Sequence, residues 1–257
     1  MAVSITFASR PPQVSLLRHG LSVSLLPIGA IALSLSLTLP AQTTPNPPSP
    51  SPPPVPRFVV VIDAAHGGDD TGAHLDSGQL EKTANLVLSV RLRSLLAARG
   101  FEVVTTREAD TTVDLDNRAA LANHARAIAC ISLHATESGS GVHLFAASLA
   151  PAQPTRFLPW KTAQAAWETR SLALAGAINS ALTQAGLNVT LGRIPLPGIE
   201  SMTCPALAVE LGPVRDADGK ITAESDSAEY QAKVATAIAA ALLEWRSDPN
   251  RSEARQP

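Results

Sequence analysis

The sequence predicts an α/β fold, a single twisted, mostly parallel sheet flanked by helices on both faces. Two observations carry that prediction. Short, continuous apolar runs such as Phe58-Val-Val-Val-Ile-Asp63 are rich in β-branched residues, the pattern of strands covered on both faces. They alternate with longer segments of helical spacing, and alternation of that kind builds a sheet with helices on its faces.

The elements follow in order. Phe58–Asp63, bounded by Pro56 and Gly67, reads as the first strand. Between Glu81 and Arg99 apolar residues fall at Ala84, Leu88, Leu92, Leu95 and Leu96, and Gly100 supplies a helix stop. Phe101–Thr106 reads as a second strand, Asp116–Ala127 as a second helix and Ala129–Leu133 as a third strand. Gly141–Ala146 is a further strand, Gln164–Ala185 a long alanine-rich helix and Pro205–Leu211 another buried strand. Asp226 and Glu229 have the spacing of a capping box for a last amphipathic helix reaching Trp245. No internal repeat is visible.

Of the 257 residues, 45% are hydrophobic and 16% charged, as expected of a domain able to bury a core. The formal charge of −2 offers no basic footprint for phosphates, so nucleic acid is not an expected partner. Arg10 and Arg18 precede an uncharged apolar run from Leu21 to Leu39, the layout of an export signal over residues 1–41. Cleavage after Ala41 would remove two arginines and no acid, moving the charge from −2 to −4. Left uncleaved, the run of roughly 19 residues is long enough to anchor the chain in a membrane. Residues 42–57 form a proline-rich spacer, 58–246 the catalytic domain and 247–257 a frayed polar tail. The expected location is the periplasm or cell envelope. Cys130 and Cys204 lie in apolar runs and are expected as buried free thiols; export leaves a single disulfide as the alternative.

In open α/β sheets functional groups gather beyond the carboxyl ends of strands. Here the first strand runs into His66-Gly67-Gly68, the third ends at His134, the strand from Pro205 ends at Glu210, and the first helix opens with Glu81. Two imidazoles and a carboxylate form a common catalytic zinc set that leaves a fourth position for water or substrate. Such a site suits hydrolysis of an unactivated amide, with a free carboxylate as general base. His66, Glu81 and His134 are therefore the candidate Zn2+ ligands and Glu210 the candidate base. Each has a blander use: a hydrogen-bonded loop histidine, a carboxylate at a helix dipole, glycines for a tight turn. Asp63 and Asp70 are candidates for bracing the ligands from behind, and Arg118 for an internal salt bridge. His19, His74, His124 and His143 are not assigned to metal.

The blocks Val60-Val-Ile-Asp-Ala-Ala-His-Gly-Gly-Asp-Asp-Thr-Gly-Ala73, Glu81-Lys82 with Asn85-Leu86, Thr106-Arg107, Leu115 with Arg118, Ala122-Asn123, Ile131-Ser-Leu-His-Ala135, Gly141-Val142 and Pro205-Ala-Leu-Ala-Val-Glu-Leu-Gly212 stand in fixed order. In that order they resemble the zinc N-acetylmuramoyl-L-alanine amidases of the amidase-3 family, over about residues 58–245. The resemblance implies cleavage of the amide between the lactyl group of N-acetylmuramic acid and the first L-alanine of peptidoglycan. It also implies ligand roles for His66, Glu81 and His134 and a catalytic role for Glu210. The chain departs from the family pattern at Ala64-Ala65, where Pro-Gly is usual, and at Pro213-Val-Arg-Asp, where Phe-Leu-Ser-Asn is usual. Residues 151–167, with Phe157, Trp160 and Trp167, have no counterpart; they either pack on the core or line or gate the substrate groove.

The expected partner is peptidoglycan, and the chain is expected to be a monomer. No separate wall-binding module is recognisable, which leaves targeting to the domain itself or to another protein such as an activator. A catalytically inactive peptidoglycan-binding or regulatory relative is the alternative. All four chemical side chains being present favours the enzyme. Another zinc amide hydrolase would not account for the whole ordered series of blocks.

Overall fold

The structure is a computed structural model that describes residues 58–152 and 159–247. The signal, the spacer, Phe157 and all but the first residue of the tail lie outside the described residues.

Strands β1 (Val59–Ala64), β2 (Glu102–Thr105), β3 (Ala129–Ala135), β4 (Val142–Ala147), β5 (Val189–Ile194) and β6 (Ala206–Leu211) form one sheet in the order β2-β1-β3-β6-β4-β5. β2, β1, β3 and β6 run parallel; β4 pairs antiparallel with β6 and parallel with β5. The helices are α1 (Glu81–Ala97), α2 (Leu115–Ala125), α3 (Glu168–Gln184), the short α4 (Pro197–Glu200) and α5 (Ala228–Ser247). A two-stranded hairpin, β7 (Val214–Arg215) and β8 (Ile221–Ala223), follows β6.

Alternation along the strands divides the core between the two faces. Val60, Ile62, Ile131, Leu133, Leu207 and Val209 pack with Leu88, Leu92 and Leu96 of α1, Leu174 and Ile178 of α3, and Ile238 and Leu242 of α5. Val61, Cys130, Ala206 and Ala208 meet Ala119 and Ala122 of α2 and Ile199 of α4 on the other face. In α1, Leu88, Leu92 and Leu96 recur at the four-residue spacing of one helix face and are each at most 1% exposed. Each such leucine contributes up to about 1.5–3 kcal/mol of transfer free energy. Residues one step further along these strands leave the core and supply the site.

Three expectations are corrected. The segment read as one helix from Gln164 is a 3-10 stretch, Trp160–Ala166, followed by α3; Trp167 breaks the run at φ −110°, ψ −4°. Gln164 is fully buried, its amide donating to Met202 O and Cys204 O, which holds the 3-10 stretch on the loop before β6. The capping box at Asp226 does not form: α5 begins at Ala228, and the Asp226 carboxylate accepts from the Ser77 hydroxyl. Cys130 and Cys204 are not free thiols but a disulfide. β3 and β6 are neighbours, so Cys130 on β3 lies beside Cys204 just before β6, with Cα atoms 6.2 Å apart.

Within the unmatched segment, Trp160 is 54% exposed and Trp167 partly buried. No described helix is long and apolar enough to cross a membrane.

Candidate metal centre

β1 ends at Ala64 and the chain turns at once. Ala65 N donates to Leu133 O, and His66 takes a positive φ of 63°, a conformation that costs a residue with a Cβ about 1–2 kcal/mol. The surroundings impose it. Arg118 Nη2 donates to His66 O, and Gly67 N and Asp70 O close the loop. Ala64 O accepts from Arg107 Nε and Arg118 Nη1, and Ala65 O from Arg107 Nη2 and Asn85 Nδ2. Ala64-Ala65 is thus a turn held by two buried guanidiniums through its carbonyls.

Glu81 opens α1 and is 5% exposed. Its Oε1 lies 3.2 Å from His66 Nε2 and 3.0 Å from His134 Nδ1, and the three donor atoms all lie within 4.8 Å of one another. An ion with bonds of about 2.1 Å in tetrahedral geometry requires donors about 3.4 Å apart, and the two measured edges come within a few tenths of an ångström of that. The imidazoles stand edge to face, centroids 5.5 Å apart. Among the described residues this is the one group of three or more histidine, cysteine or acidic side chains whose ligand atoms cluster closely enough to hold a metal ion. The set fits a divalent ion that accepts nitrogen and oxygen ligands.

Hydrogen bonds behind the site define which ring nitrogen is free. His66 Nδ1 lies 2.9 Å from Asp70 Oδ2, a carboxylate that can only accept, so the proton sits on Nδ1 and Nε2 faces Glu81 with its lone pair when the ring is neutral. On β3, Ser132 Oγ donates to Asp63 Oδ2 at 2.7 Å and stands 3.3 Å from His134 Nε2. The serine proton being committed to Asp63, the serine oxygen accepts from Nε2–H and leaves Nδ1 free. Asp63 is itself bound by Arg118 Nη1 at 2.5 Å and Thr106 Oγ1 at 2.7 Å, and all four of these side chains are buried.

The same contacts set the protonation of the carboxylate. Burial pushes Glu81 up, but its contacts with the His134 and His66 rings, which donate to it whenever those nitrogens carry a proton, and the hydrogen bond from Ala73 N outweigh it and hold the carboxyl well below its ordinary range. Glu81 stabilises the protonated form of His66, whose Nε2 then donates to it, and so raises the histidine against the opposing effect of burial.

Glu210 lies on β6 as the register partner of His134, on the sheet face shared with Ser132. It is partly exposed and has no hydrogen-bond or ion-pair partner among the described residues. The structure thus brings His66, Glu81 and His134 together and stands Glu210 beside His134 on the neighbouring strand. His74 and His124 are exposed and take no part; His19 lies outside the described residues.

The family described as Amidase_3, N-acetylmuramoyl-L-alanine amidase, matches residues 60–244. The chain belongs to the amidase-3 family. Its domain is 36% identical over 94 residues to N-acetylmuramoyl-L-alanine amidase AmiA of Escherichia coli, covering 35% of this chain and 32% of the relative. It is 32% identical over 108 residues to AmiC of Neisseria meningitidis, covering 40% and 26%. The aligned stretches thus span about a third or less of these relatives. The catalytic domain of CwlV, an N-acetylmuramoyl-L-alanine amidase from Bacillus (Paenibacillus) polymyxa, superposes with TM-score 0.56 at 27% identity, covering 74% of this chain and 98% of that one. The amidase AmiC2 of Nostoc punctiforme gives 0.57 at 25% identity, with 74% and 98% covered.

Two residues of the amidase-3 domain's site have roles that sequence reading did not assign. Gly72 has φ +64°, and a Cβ there would lie 2.6 Å from Glu81 Oε2 and 2.8 Å from His66 Cδ2. Ser132 reads as an ordinary residue in a buried strand, and only its position two before His134, on the same face, hints at its role.

Proposed function

We propose that the chain hydrolyses the amide between the lactyl group of N-acetylmuramic acid and L-alanine in peptidoglycan, using zinc held by His66, Glu81 and His134. The observation that carries this reading is the convergence of those three donors, each imidazole presenting the nitrogen its hydrogen bonds leave unprotonated. Zinc, when bound, supplies Lewis acidity that brings the pKa of a water toward 7 and polarises a carbonyl. Glu210, with no partner among the described residues, accepts the proton of the attacking water and delivers it to the leaving amine. Asp70 and Ser132 keep the two imidazoles in the tautomers the site needs. Family membership and the amidase relatives support the substrate. Export to the cell envelope belongs to the same proposal, and the Cys130–Cys204 disulfide supports it, since such bonds persist in oxidising compartments.

The test is digestion of purified peptidoglycan by the zinc-loaded wild type, by Glu210→Ala and by chelator-treated protein. Soluble stem peptides beginning with L-alanine are expected from the first alone. Their absence from the zinc-loaded wild type would overturn the proposal.

A further inference from the structure

The row of side chains that begins with His134 and Glu210 continues across the sheet. His134 is the register partner of Glu210, Glu210 that of His143 on β4, and His143 that of Thr190 on β5. His143 stands at the start of β4, which runs antiparallel to β6 and so enters the sheet at the end where β3 and β6 leave it. Cross-strand partners place their Cβ atoms about 4.5–5.5 Å apart on one face. A second imidazole therefore sits on the side of Glu210 away from the metal ligands.

This ring is held in place. Its Nδ1 lies 2.5 Å from Thr190 Oγ1, and it stacks on Phe145 with centroids 6.3 Å apart and planes 16° from parallel. Nε2 lies over two glycines: a Cβ on Gly139 (φ +72°) would come within 2.7 Å of it and one on Gly212 within 3.2 Å. The loop carrying Gly139 is clamped in turn by Arg215, which donates to Gly139 O and Glu137 O. Arg215 belongs to the Pro213-Val-Arg-Asp stretch in which this chain departs from its family pattern. The departure thus clamps the loop whose Gly139 packs against His143.

What the imidazole lacks is a partner for Nε2. The ring is partly exposed, and no described residue hydrogen-bonds that nitrogen. Thr190 can give its proton to Nδ1, which leaves Nε2–H as a donor with no partner among the described residues, on the strand next to Glu210.

We propose that His143 is a substrate-contacting residue whose Nε2 hydrogen-bonds a carbonyl or carboxylate of the muramoyl-peptide on the side of the scissile bond away from the metal. This rests on the proposed amidase function. A preorganised ring that need not be ordered on binding is suited to that role, and a hydrogen bond of this kind is worth about a tenfold change in affinity.

The experiment measures kcat and KM for a soluble N-acetylmuramoyl-tripeptide, and its binding by calorimetry, with zinc-loaded wild type, His143→Ala, His143→Asn and His143→Gln. Alanine and asparagine, which lack a group at the Nε2 position, are expected to raise KM and weaken binding about tenfold, with kcat changed less than about threefold. Glutamine, whose amide nitrogen reaches the Nε2 position, is expected to recover most of the loss. Zinc affinity, measured by chelator competition, is expected to be the same in all four proteins. Unchanged KM in His143→Ala, or a loss in all three variants that tracks their melting temperatures, would overturn the role of His143 and leave the amidase reading intact. A wild type that binds the muramoyl-tripeptide through His143 but does not cleave it would overturn the amidase reading and uphold this one. A wild type that neither binds nor cleaves would overturn both.

Discussion

Ser132 Oγ gives its proton to Asp63 Oδ2 across 2.7 Å, and that bond determines which nitrogen of His134 can meet a metal. A serine free to rotate could donate to His134 Nε2 and leave the proton on Nδ1, turning the ligand nitrogen into a donor facing Glu81. Ser132→Ala is expected to weaken zinc binding by about 10- to 100-fold in chelator competition, the usual effect of removing a partner behind a metal-bound imidazole. The fold should survive, because a small side chain is lost from a 5%-exposed site without leaving a charge unpaired. Asp63→Asn should behave differently. It strips the buried Arg118 of its counter-charge, and breaking such a pair costs about 3–5 kcal/mol. Metal affinity and melting temperature are expected to fall together in that variant, whereas in Ser132→Ala metal affinity alone should fall.

Gly72 makes a second, independent prediction about the same ligands. Gly72→Ala introduces a methyl group that cannot coexist with Glu81 Cβ at 2.8 Å or His66 Cδ2 at 2.8 Å, on a backbone of φ +64° that already disfavours it. The loop can shift because it lies at the surface, so the expected damage is local. Zinc affinity should fall at least about tenfold while thermal unfolding loses no more than about 1–3 kcal/mol, the range for strain at a single residue. Preserved zinc affinity would show that the ligands have more room than the structure gives them.

The chemistry was more legible in the sequence than its supports, and particular residues show why. β1, β3 and β6 are covered on both faces, so Val60–Ile62 and Ala206–Val209 read as unbroken apolar runs, and the residues that end such runs are the ones an α/β sheet exposes for function. His66, His134 and Glu210 were singled out by that logic, and the structure brings the two histidines together with Glu81. β5 escaped it because it is an edge strand, Val189–Ile194, with Leu191 56% exposed and Gly192 and Arg193 interrupting any pattern. The break at Trp167 was hidden by alanine-rich flanks that suit a helix on either side. The disulfide depended on β3 and β6 being neighbours although 74 residues separate the two cysteines, which is a property of the topology and not of any local pattern.

That disulfide is expected to contribute mainly through the unfolded chain. Closing a loop of 74 residues restricts the denatured ensemble by about 4 kcal/mol at room temperature in the chain-entropy treatment. Cys130→Ser with Cys204→Ser, or reduction under partly denaturing conditions, should lower the melting temperature by roughly 10 °C in a domain of this size. Both sulfurs are buried at the opposite end of β3 from His134, so zinc affinity of the folded double variant is expected to stay within about twofold of wild type. Calorimetry beside chelator competition would measure the two effects, and a double variant that melts with the wild type would refute the stabilising role.

Glu210 is the residue on which metal binding and catalysis separate. It stands in register with His134 but outside the group of three clustered donors, with no hydrogen-bond or ion-pair partner among the described residues. A ligand and a base therefore predict different outcomes for the isosteric Glu210→Gln. A ligand's loss would cut zinc affinity, whereas a base's loss would leave the metal in place and remove only proton transfer, typically 10²- to 10⁴-fold in rate. The expected result is the second: zinc affinity within about twofold of wild type, binding of a muramoyl-peptide retained, and kcat reduced by about a thousandfold. If Glu210→Gln instead loses zinc in proportion to activity, the fourth position belongs to the protein and no room is left there for the attacking water.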